Sequence, residues 1–312
     1  MRATLHQLKI FQKVAICKNY SAAANQLNLT QPAVSIQIKQ LEDNLGLPLF
    51  EKIGKKVFLT PTGKELESFC LDLFTRIDEM DMKLSAMKGQ LEGEFHLAAV
   101  TSAKYFTPHL LGAFHKLHPK VRLNLDVVNR SQIIQRLKNN EDDLVIMGLV
   151  PEDFPLTRYP IIDNPIVITA NPTHPLATQK NIPVSELQKY DFIFREQGSG
   201  TRKALEDFLL DNQIKLLPSM VLVSSETIKQ AVMADLGISA LSRHSITLEL
   251  ATNSLIELDV QGFPLMRSWY VVHHETKRLS PAAQAFIDLI LQEQEMVSNL
   301  CNRFLEADFI SP

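Results

Sequence analysis

The stretch at residues 21–66 reads SAAANQLNLTQPAVSIQIKQLEDNLGLPLFEKIGKKVFLTPTGKEL, and it decides how the first part of this chain folds. Ser21 and Thr30 are residue types that cap helix N-termini, and Pro32 falls in a first helical turn, where proline loses no hydrogen bond. Gly46 is suited to ending the second of these helices. With an amphipathic helix predicted upstream, the pattern indicates a helix-turn-helix, whose second helix enters the major groove of DNA.

The outward face of that second helix carries polar side chains that can reach base edges and phosphates. Two short strands are predicted after it, around a turn that contains glycine and lysines suited to phosphate contact. Each polar residue taken singly fits a solvated helix face better, and the lysine-bearing wing favours DNA binding. The predicted DNA-binding residues are Ser21, Thr30, Gln31, Pro32, Ala33, Ser35, Gln37, Lys39, Lys52, Lys55 and Lys56.

The charge of the chain is divided unevenly. The whole chain of 312 residues carries a net charge of −3, which gives no indication of nucleic acid binding. Residues 1–66 hold nine Lys and Arg against four acidic residues, so this segment is +5 and the remainder is −8. A basic segment on an acidic body is expected when one end of a protein meets phosphate.

A heptad pattern follows the predicted wing. The segment opens with Pro61-Thr62-Gly63, and its apolar residues are separated alternately by four and three positions. A helix that packs only on its own domain usually has a wider apolar stripe, so this spacing favours the association of two helices over packing within the chain. Gly89 to Gly93 is predicted to end the helix. The predicted dimerisation residues are Leu66, Cys70, Leu73, Ile77, Met80, Leu84 and Met87.

Short apolar strands alternate with helical segments in the rest of the chain. The order strand, helix, strand, helix, strand over residues 95–147 predicts a mostly parallel sheet. A Pro-rich connection is expected at 151–165, before a strand at 166–170. A second α/β unit follows, and then a returning strand at 269–273 and a closing helix at 281–295.

Two places in this α/β region are predicted to bind a small anion. Ligands of open α/β sheets settle at the carboxyl ends of strands and at helix N-termini. Thr101 and Ser102 follow the first strand, and the loop REQGSGTR at 195–202 follows another strand and begins a helix. Its glycines allow close backbone approach, and its two arginines supply charge for a carboxylate or a phosphate. The alternative is an ordinary capped helix with solvated arginines. The predicted effector-binding residues are Thr101, Ser102, Gly148, Arg195, Gln197, Ser199, Gly200, Thr201 and Arg202.

Residues 3–66 resemble the N-terminal signature of the LysR family of transcriptional regulators over nearly their whole length. The resemblance implies an all-α winged helix-turn-helix at 1–60 and a long linker helix at 61–90, through which members of the family dimerise. It also implies a two-lobed α/β effector domain of the periplasmic-binding-protein type at 91–312. We expect the two lobes to comprise residues 91–164 with 268–300, and residues 165–267.

The resemblance also implies roles for particular residues. Positions that match Thr101, Ser102 and Thr201 line the effector site between the lobes in this family. The wing departs from the family pattern, because Lys52, Lys55 and Lys56 stand where arginines are usual. Lysine binds phosphate as a point charge, so contacts from this wing are expected to depend more on charge than on shape.

Three strings resemble one subgroup, the CbbR-type regulators of carbon-fixation operons: TQPAVSIQIKQLE, DLVIMG and the RxxGSGTR pattern of the loop. The effectors of this subgroup are phosphorylated or other anionic metabolites, which agrees with the arginine-flanked loop. A LysR-type regulator of another pathway is the first alternative. An enzyme or a solute-binding protein on the same fold is the second, but no acid–base pair converges on the loop, and a solute-binding protein does not need residues 1–66.

Several other classes of protein are disfavoured. The three cysteines show no CxxC spacing, and His115 and His118 have no accompanying ligand set, so no metal or other cofactor is expected. The N-terminus lacks a secretory signal and no run of about 18 apolar residues occurs, which predicts a cytoplasmic protein that does not span a membrane.

The expected partners are double-stranded promoter DNA, further copies of this chain in a homodimer or homotetramer, a small anionic metabolite and RNA polymerase. The sequence names neither the effector nor the operator, and it does not distinguish activation from repression.

Overall fold

The computed structural model describes residues 3–53, 56–87, 90–153 and 155–302. The chain divides into two compact units, Met1–Asp81 and Met82–Pro312, which we call the first and the second unit. Lys55, predicted to contact DNA, and Gly89, predicted to help end the linker helix, lie outside the described residues.

The first unit is a three-helix bundle with a two-stranded wing and the start of a long helix. Its elements are α1 (Leu5–Cys17), α2 (Tyr20–Gln26), α3 (Gln31–Leu45), β1 (Phe50–Ile53), β2 (Lys56–Leu59) and α4 (Pro61–Met87), which continues into the second unit. The Thr30 hydroxyl accepts the N–H of Ala33 and caps α3, as predicted. Gly46 ends α3 in the left-handed conformation at φ +71°. Glu42 of α3 accepts the N–H groups of Leu49 and Phe50, which holds the wing against the helix.

One predicted cap is wrong. Helix α2 begins at Tyr20, and the Asn19 side chain accepts the N–H of Ala22 at 3.0 Å. Ser21 is therefore an exposed residue inside the first turn and not the N-cap. Both Asn and Ser are strong caps, and Lys18 ends α1 in the left-handed conformation at φ 48°, so the turn is completed two residues earlier than expected.

The predicted heptad seam of α4 is divided between two environments. Leu66 and Cys70 are buried in the core of the first unit, and Leu73 is packed against that core. Intramolecular packing therefore accounts for these positions, contrary to the expectation that the whole seam serves association. Farther along the helix, Met80, Leu84 and Met87 are 57%, 49% and 85% exposed. Phe69 and Leu71, which the seam did not include, are also exposed.

The second unit is built on one mixed sheet, with nine strands among the described residues. Its strand order is β4-β3-β5-β11-β6-β9-β7-β8, and β10 pairs with β6. The strands are β3 (Gly93–Val100), β4 (Val121–Val128), β5 (Leu144–Met147), β6 (Leu156–Ala170), β7 (Phe192–Arg195), β8 (Met220–Leu222), β9 (Ile238–Ser242), β10 (Ile256–Glu257) and β11 (Leu265–His274). The helices are α5 (Thr107–Leu117), α6 (Arg130–Lys138), α7 (Gly200–Asp211), α8 (Ser225–Met233), α9 (Thr247–Ala251), α10 (Pro281–Gln292) and α11 (Gln294–Asn302).

Two lobes share this sheet. β3 pairs in parallel with β4 and β5, and β7 pairs in parallel with β8 and β9, so each lobe has its own parallel set. The long antiparallel strands β6 and β11 pass from one set to the other. Trp269 of β11 lies in the hydrophobic core of the first lobe, whereas Leu265 of the same strand lies in a core of the second. The structure thus has the expected two-lobed α/β arrangement.

The Pro-rich connection expected at 151–165 is in large part strand. β6 extends over 15 residues and contains Pro160 and Pro165. The neighbour of β6 on its other side, β9, begins to pair only at Ile166, so the prolines lie where one edge of β6 has no strand partner. A proline is tolerated at such an edge because its missing N–H breaks no ladder bond there. The closing helix is likewise revised, since it is divided at Glu293 into α10 and α11.

None of the helices in the described ranges is long and apolar enough to cross a membrane.

Candidate functional site

A cleft lies in the second unit, where β3 and β5 end and α7 begins. Its empty space is about 490 Å³ and opens to solvent. Six of the predicted effector-binding residues line it: Thr101, Ser102, Gly148, Ser199, Gly200 and Thr201. The other lining residues are Val100, Arg130, Met147, Leu149, Asn164, Ile166, Ala204, Arg267 and Trp269. The position agrees with the rule that open α/β sheets bind ligands beyond the carboxyl ends of their strands.

The N-terminus of α7 forms one wall of this cleft. Ser199 is the N-cap, and its hydroxyl accepts the N–H of Arg202 at 3.4 Å. The N–H groups of Gly200 and Thr201 belong to the first turn, where no helical carbonyl is available to them. The turn before the helix requires Gly198, because φ is +87° and a Cβ would stand 2.3 Å from the Ser131 hydroxyl oxygen. This wall therefore offers backbone donors and a positive dipole end to an anion.

The charges of the cleft come from two arginines that sequence reasoning missed. Arg130, the first residue of α6, donates from Nε to the carbonyl of Leu149 at 2.8 Å, which leaves its terminal nitrogens for other partners. Burial lowers the pKa of Arg130 and Asp153 opposes that effect, but an arginine remains protonated. The side chain of Arg267, on β11, is exposed and makes no hydrogen bond or ion pair within the part of the chain that the structure describes.

The two arginines that the sequence proposed for this role have other partners. Arg195 is 3% exposed and does not line the cleft, because Glu196 and Ser225 accept hydrogen bonds from its guanidinium. Arg202 pairs with Glu206 at 2.7 Å and donates to the carbonyl of Arg195. Arg202 borders a neighbouring depression, together with Gln197. The expectation that the flanking arginines supply the charge of the cleft is therefore corrected.

The floor of the cleft is largely apolar. Trp269 is 1% exposed, and Gly148 lies against it, since a Cβ on Gly148 would come within 3.3 Å of the indole ring. The same Cβ would stand 3.1 Å from the amide nitrogen of Asn164. A side chain at position 148 would thus press on Asn164 and Trp269, two residues that line the cleft. The position of the single tryptophan on the predicted returning strand at 269–273 was the available signal for this floor.

The recognition face of α3 is exposed in the first unit. Gln31, Pro32 and Lys39 are exposed, whereas Ala33, Ser35 and Gln37 are half-buried. Gln31 donates to the hydroxyl of Ser35 at 2.9 Å, so the two predicted base readers are neighbours on one face. Ile36, which the sequence analysis did not select, is 55% exposed on this helix.

Two of the three lysines predicted for the wing lie in the described residues, and both are exposed. Lys52 and Lys56 are exposed on β1 and β2, whose register pairs Phe50 with Leu59. The ammonium of Lys52 lies 5.4 Å from the centre of the Tyr20 ring. The wing is therefore a cationic edge attached to the recognition helix domain, as phosphate contact requires.

Both units match family descriptions. Residues 5–64 match "Bacterial regulatory helix-turn-helix protein, lysR family", and residues 88–295 match "LysR substrate binding domain". The RuBisCO operon transcriptional regulator of Allochromatium vinosum is 42% identical over 293 residues, which cover 94% of this chain and 97% of that protein. The transcriptional activator CmpR of Synechocystis is 40% identical and covers 95% of this chain and 97% of its own length.

Solved structures share the fold of this chain. The regulatory domain of Synechocystis CcmR in complex with 2-PG is 41% identical to this chain, with a TM-score of 0.63, and the match covers 65% of this chain and 97% of that domain. Full-length CbnR complexed with its target DNA is 18% identical, with a TM-score of 0.68 over 93% of this chain and 99% of CbnR, and this likeness concerns the fold alone. LysR-type regulators are DNA-binding proteins that respond to small molecules, and they are not enzymes. This chain belongs to the LysR family of bacterial transcriptional regulators.

Proposed function

We propose that this regulator binds a small phosphorylated carboxylate in the cleft of its second unit, and that this binding alters its hold on the promoters of carbon-fixation genes. The observation that carries the proposal is the set of donors that converge there: Arg130, Arg267 and the free N–H groups at the start of α7. Relatives named for the RuBisCO operon and the CcmR domain in complex with 2-PG, which we take as 2-phosphoglycolate, support the same class of ligand.

The chemistry of the lining favours an anion of modest size. None of the described residues that line the cleft is acidic, and Thr101, Ser102 and Thr201 add hydroxyl groups to the charged donors. Charge-assisted hydrogen bonds from arginine to phosphate or carboxylate are among the strongest that proteins make. Trp269 and Ile166 close the apolar side, which leaves little space for a long substituent. A two- or three-carbon phosphorylated acid fits this combination.

The first unit supplies the DNA contacts in this proposal. Residues 1–60 form the winged helix-turn-helix, in which Gln31, Ser35, Gln37 and Lys39 face the major groove. Ser21, Thr30, Pro32 and Ala33 hold the start of α3 near the phosphates, and Lys52, Lys55 and Lys56 meet the backbone beside it. Phosphate contacts position such a helix, and base contacts give it specificity.

Association of two or four copies follows from the exposed part of α4. Residues 61–90 act as linker and dimerisation helix, and Ile77, Met80, Leu84 and Met87 are the positions we assign to the contact between copies. Two recognition helices on one operator multiply two weak interactions through their effective concentration. Residues 91–312 form the effector domain.

For the effector to regulate, it must bind one arrangement of the lobes more tightly than another. Under this proposal, the arrangement of the lobes that the effector favours changes the bending of the promoter DNA and, in turn, the contact with RNA polymerase. The protein acts where the chromosome is, in the cytoplasm.

Isothermal titration calorimetry of the full chain with 2-phosphoglycolate tests the ligand, with glycolate and inorganic phosphate as separate arms. We expect Thr201→Val to weaken binding of 2-phosphoglycolate, whereas Thr252→Val, which removes an exposed hydroxyl at the end of α9, serves as the matched control. A wild-type protein that binds none of the three anions would exclude the proposed effector class. Footprinting on a carbon-fixation promoter, with and without 2-phosphoglycolate, then tests the regulatory step.

A further inference from the structure

Arg195 is held rigidly in the second lobe. It is the last residue of β7, and Glu196 accepts two hydrogen bonds from its guanidinium, at 2.9 Å from Nε and 3.1 Å from Nη2. Its Nη1 donates to the hydroxyl of Ser225, at the start of α8, at 2.8 Å. A buried arginine with this many partners has a fixed orientation, and it cannot turn toward a ligand without leaving Glu196 unpaired.

The same guanidinium reaches across to the first lobe. Its Nη2 donates to the hydroxyl oxygen of Thr101 at 3.0 Å. Thr101 follows β3 and lines the cleft, whereas Arg195 does not line it. Arg195 thus contacts a residue that is placed to contact the ligand.

The direction of this hydrogen bond fixes the role of the threonine. A guanidinium has five N–H donors and no acceptor, so the oxygen of Thr101 must be the acceptor. A hydroxyl has one hydrogen of its own, and that hydrogen must then serve another partner. Among the described residues, the Thr101 hydroxyl donates to no acceptor. Its proton is therefore available to a further partner, and Thr101 lines the cleft.

We propose that Arg195 is a positioning residue that presents the Thr101 hydroxyl to the effector as a hydrogen-bond donor, and so selects an acceptor oxygen at that point of the ligand. The inference rests on the proposed function, because it assumes that an oxyanion occupies the cleft. It also connects ligand contact with lobe spacing, since the donor is anchored in one lobe and the acceptor belongs to the other.

A second bond between the lobes provides a matched control. The hydroxyl of Tyr105, which follows Thr101 in the same loop, donates to the Glu226 carboxylate of α8 at 3.2 Å. Neither residue lines the cleft. Tyr105→Phe therefore removes a bond between the lobes and leaves the Thr101 hydroxyl in place.

A double-mutant cycle tests the inference, with 2-phosphoglycolate as the probe in isothermal titration calorimetry of the full chain. Thr101→Val should weaken binding about tenfold or more, the loss expected for a hydrogen bond to a charged group. Arg195→Lys keeps the positive charge beside Glu196 but loses the planar guanidinium that bonds several partners at once. We expect it to weaken binding by a similar factor. In the Thr101→Val background, Arg195→Lys should cause little further loss of affinity. As a separate single variant, Thr101→Ser keeps the hydroxyl and should retain most of the wild-type affinity. Tyr105→Phe should leave affinity nearly unchanged.

Ser225→Ala provides a second route if Arg195→Lys does not fold, since it removes only one anchor of the guanidinium. It should weaken binding when Thr101 is present and have little effect in the Thr101→Val background. The inference would be overturned if the fold-losses of affinity of the single variants multiplied in the double variants, because the two side chains would then act independently. It would also be overturned if Tyr105→Phe lost as much affinity as Arg195→Lys. A wild-type protein that does not bind 2-phosphoglycolate would instead reject the proposed effector, so the two failures are distinguishable.

Discussion

Replacing Arg267 should change the affinity for the ligand without changing the stability of the fold. The side chain is exposed, lines the cleft and makes no hydrogen bond or ion pair within the described residues. Arg267→Ala therefore removes a charge that the fold does not use. We expect the free energy of unfolding to change by less than about 0.5 kcal/mol, as for an ordinary surface substitution.

The effect on the effector should be much larger. A hydrogen bond from a charged group contributes about 1.5–3 kcal/mol, and each 1.4 kcal/mol is a factor of about ten in Kd. Because the cleft opens to solvent, screening places this arginine in the lower part of that range. We therefore expect the Kd for 2-phosphoglycolate to rise about 10- to 30-fold, and we expect added salt to reduce the difference between variant and wild type.

Calorimetric titration and thermal unfolding of the same preparations measure both quantities. The matched control is Arg278→Ala, which removes an exposed arginine that follows β11 and lines neither the effector cleft nor the depression beside it. The reasoning would be refuted if Arg267→Ala bound 2-phosphoglycolate as tightly as Arg278→Ala. A marked fall in Tm for Arg267→Ala alone would show that the arginine supports the fold instead.

Three other outcomes are expected. Ser35→Ala should weaken binding to the operator by about 1–3 kcal/mol while leaving non-specific DNA affinity unchanged, because base contacts carry specificity; equal losses on both DNAs in a gel-shift titration would contradict this. Leu84→Glu, which places a charge on the exposed part of α4, should shift sedimentation toward the monomer without lowering Tm, and an unchanged assembly would remove Leu84 from the contact. Burial lowers the pKa of His273, so as pH falls the unfolded chain takes up a proton at this imidazole, near its ordinary pKa of about 6.5, before the native state does. Its contribution to stability is complete above that pH and is lost as pH falls toward the native pKa; His273→Phe should therefore flatten the decline in urea-unfolding free energy below pH 6.5, and identical slopes would argue against it.

The local parts of the fold were predictable because they depend on neighbours in sequence. Thr30 caps α3 and Gly46 ends it, since a capping hydroxyl and a left-handed glycine act within one helical turn. Even there, Asn19 and not Ser21 caps α2, because two residue types suited to capping lie two positions apart and only the packing of the turn decides between them. The seam of α4 was recognisable by its period, but the period does not say that Cys70 faces the helix's own domain.

By itself, the sequence determined the winged helix-turn-helix, the long helix, the two-lobed α/β architecture and the loop at 195–202 where an anion is expected. It could not determine which arginines face the cleft. Arg195 is held outside the lining by Glu196 and by Ser225, 30 residues distant in sequence, and it bonds Thr101, 94 residues distant. Arg130 and Arg267 come to the same cleft from α6 and β11. A guanidinium takes the partners that the folded chain brings within about 3 Å, and only the tertiary structure sets those distances.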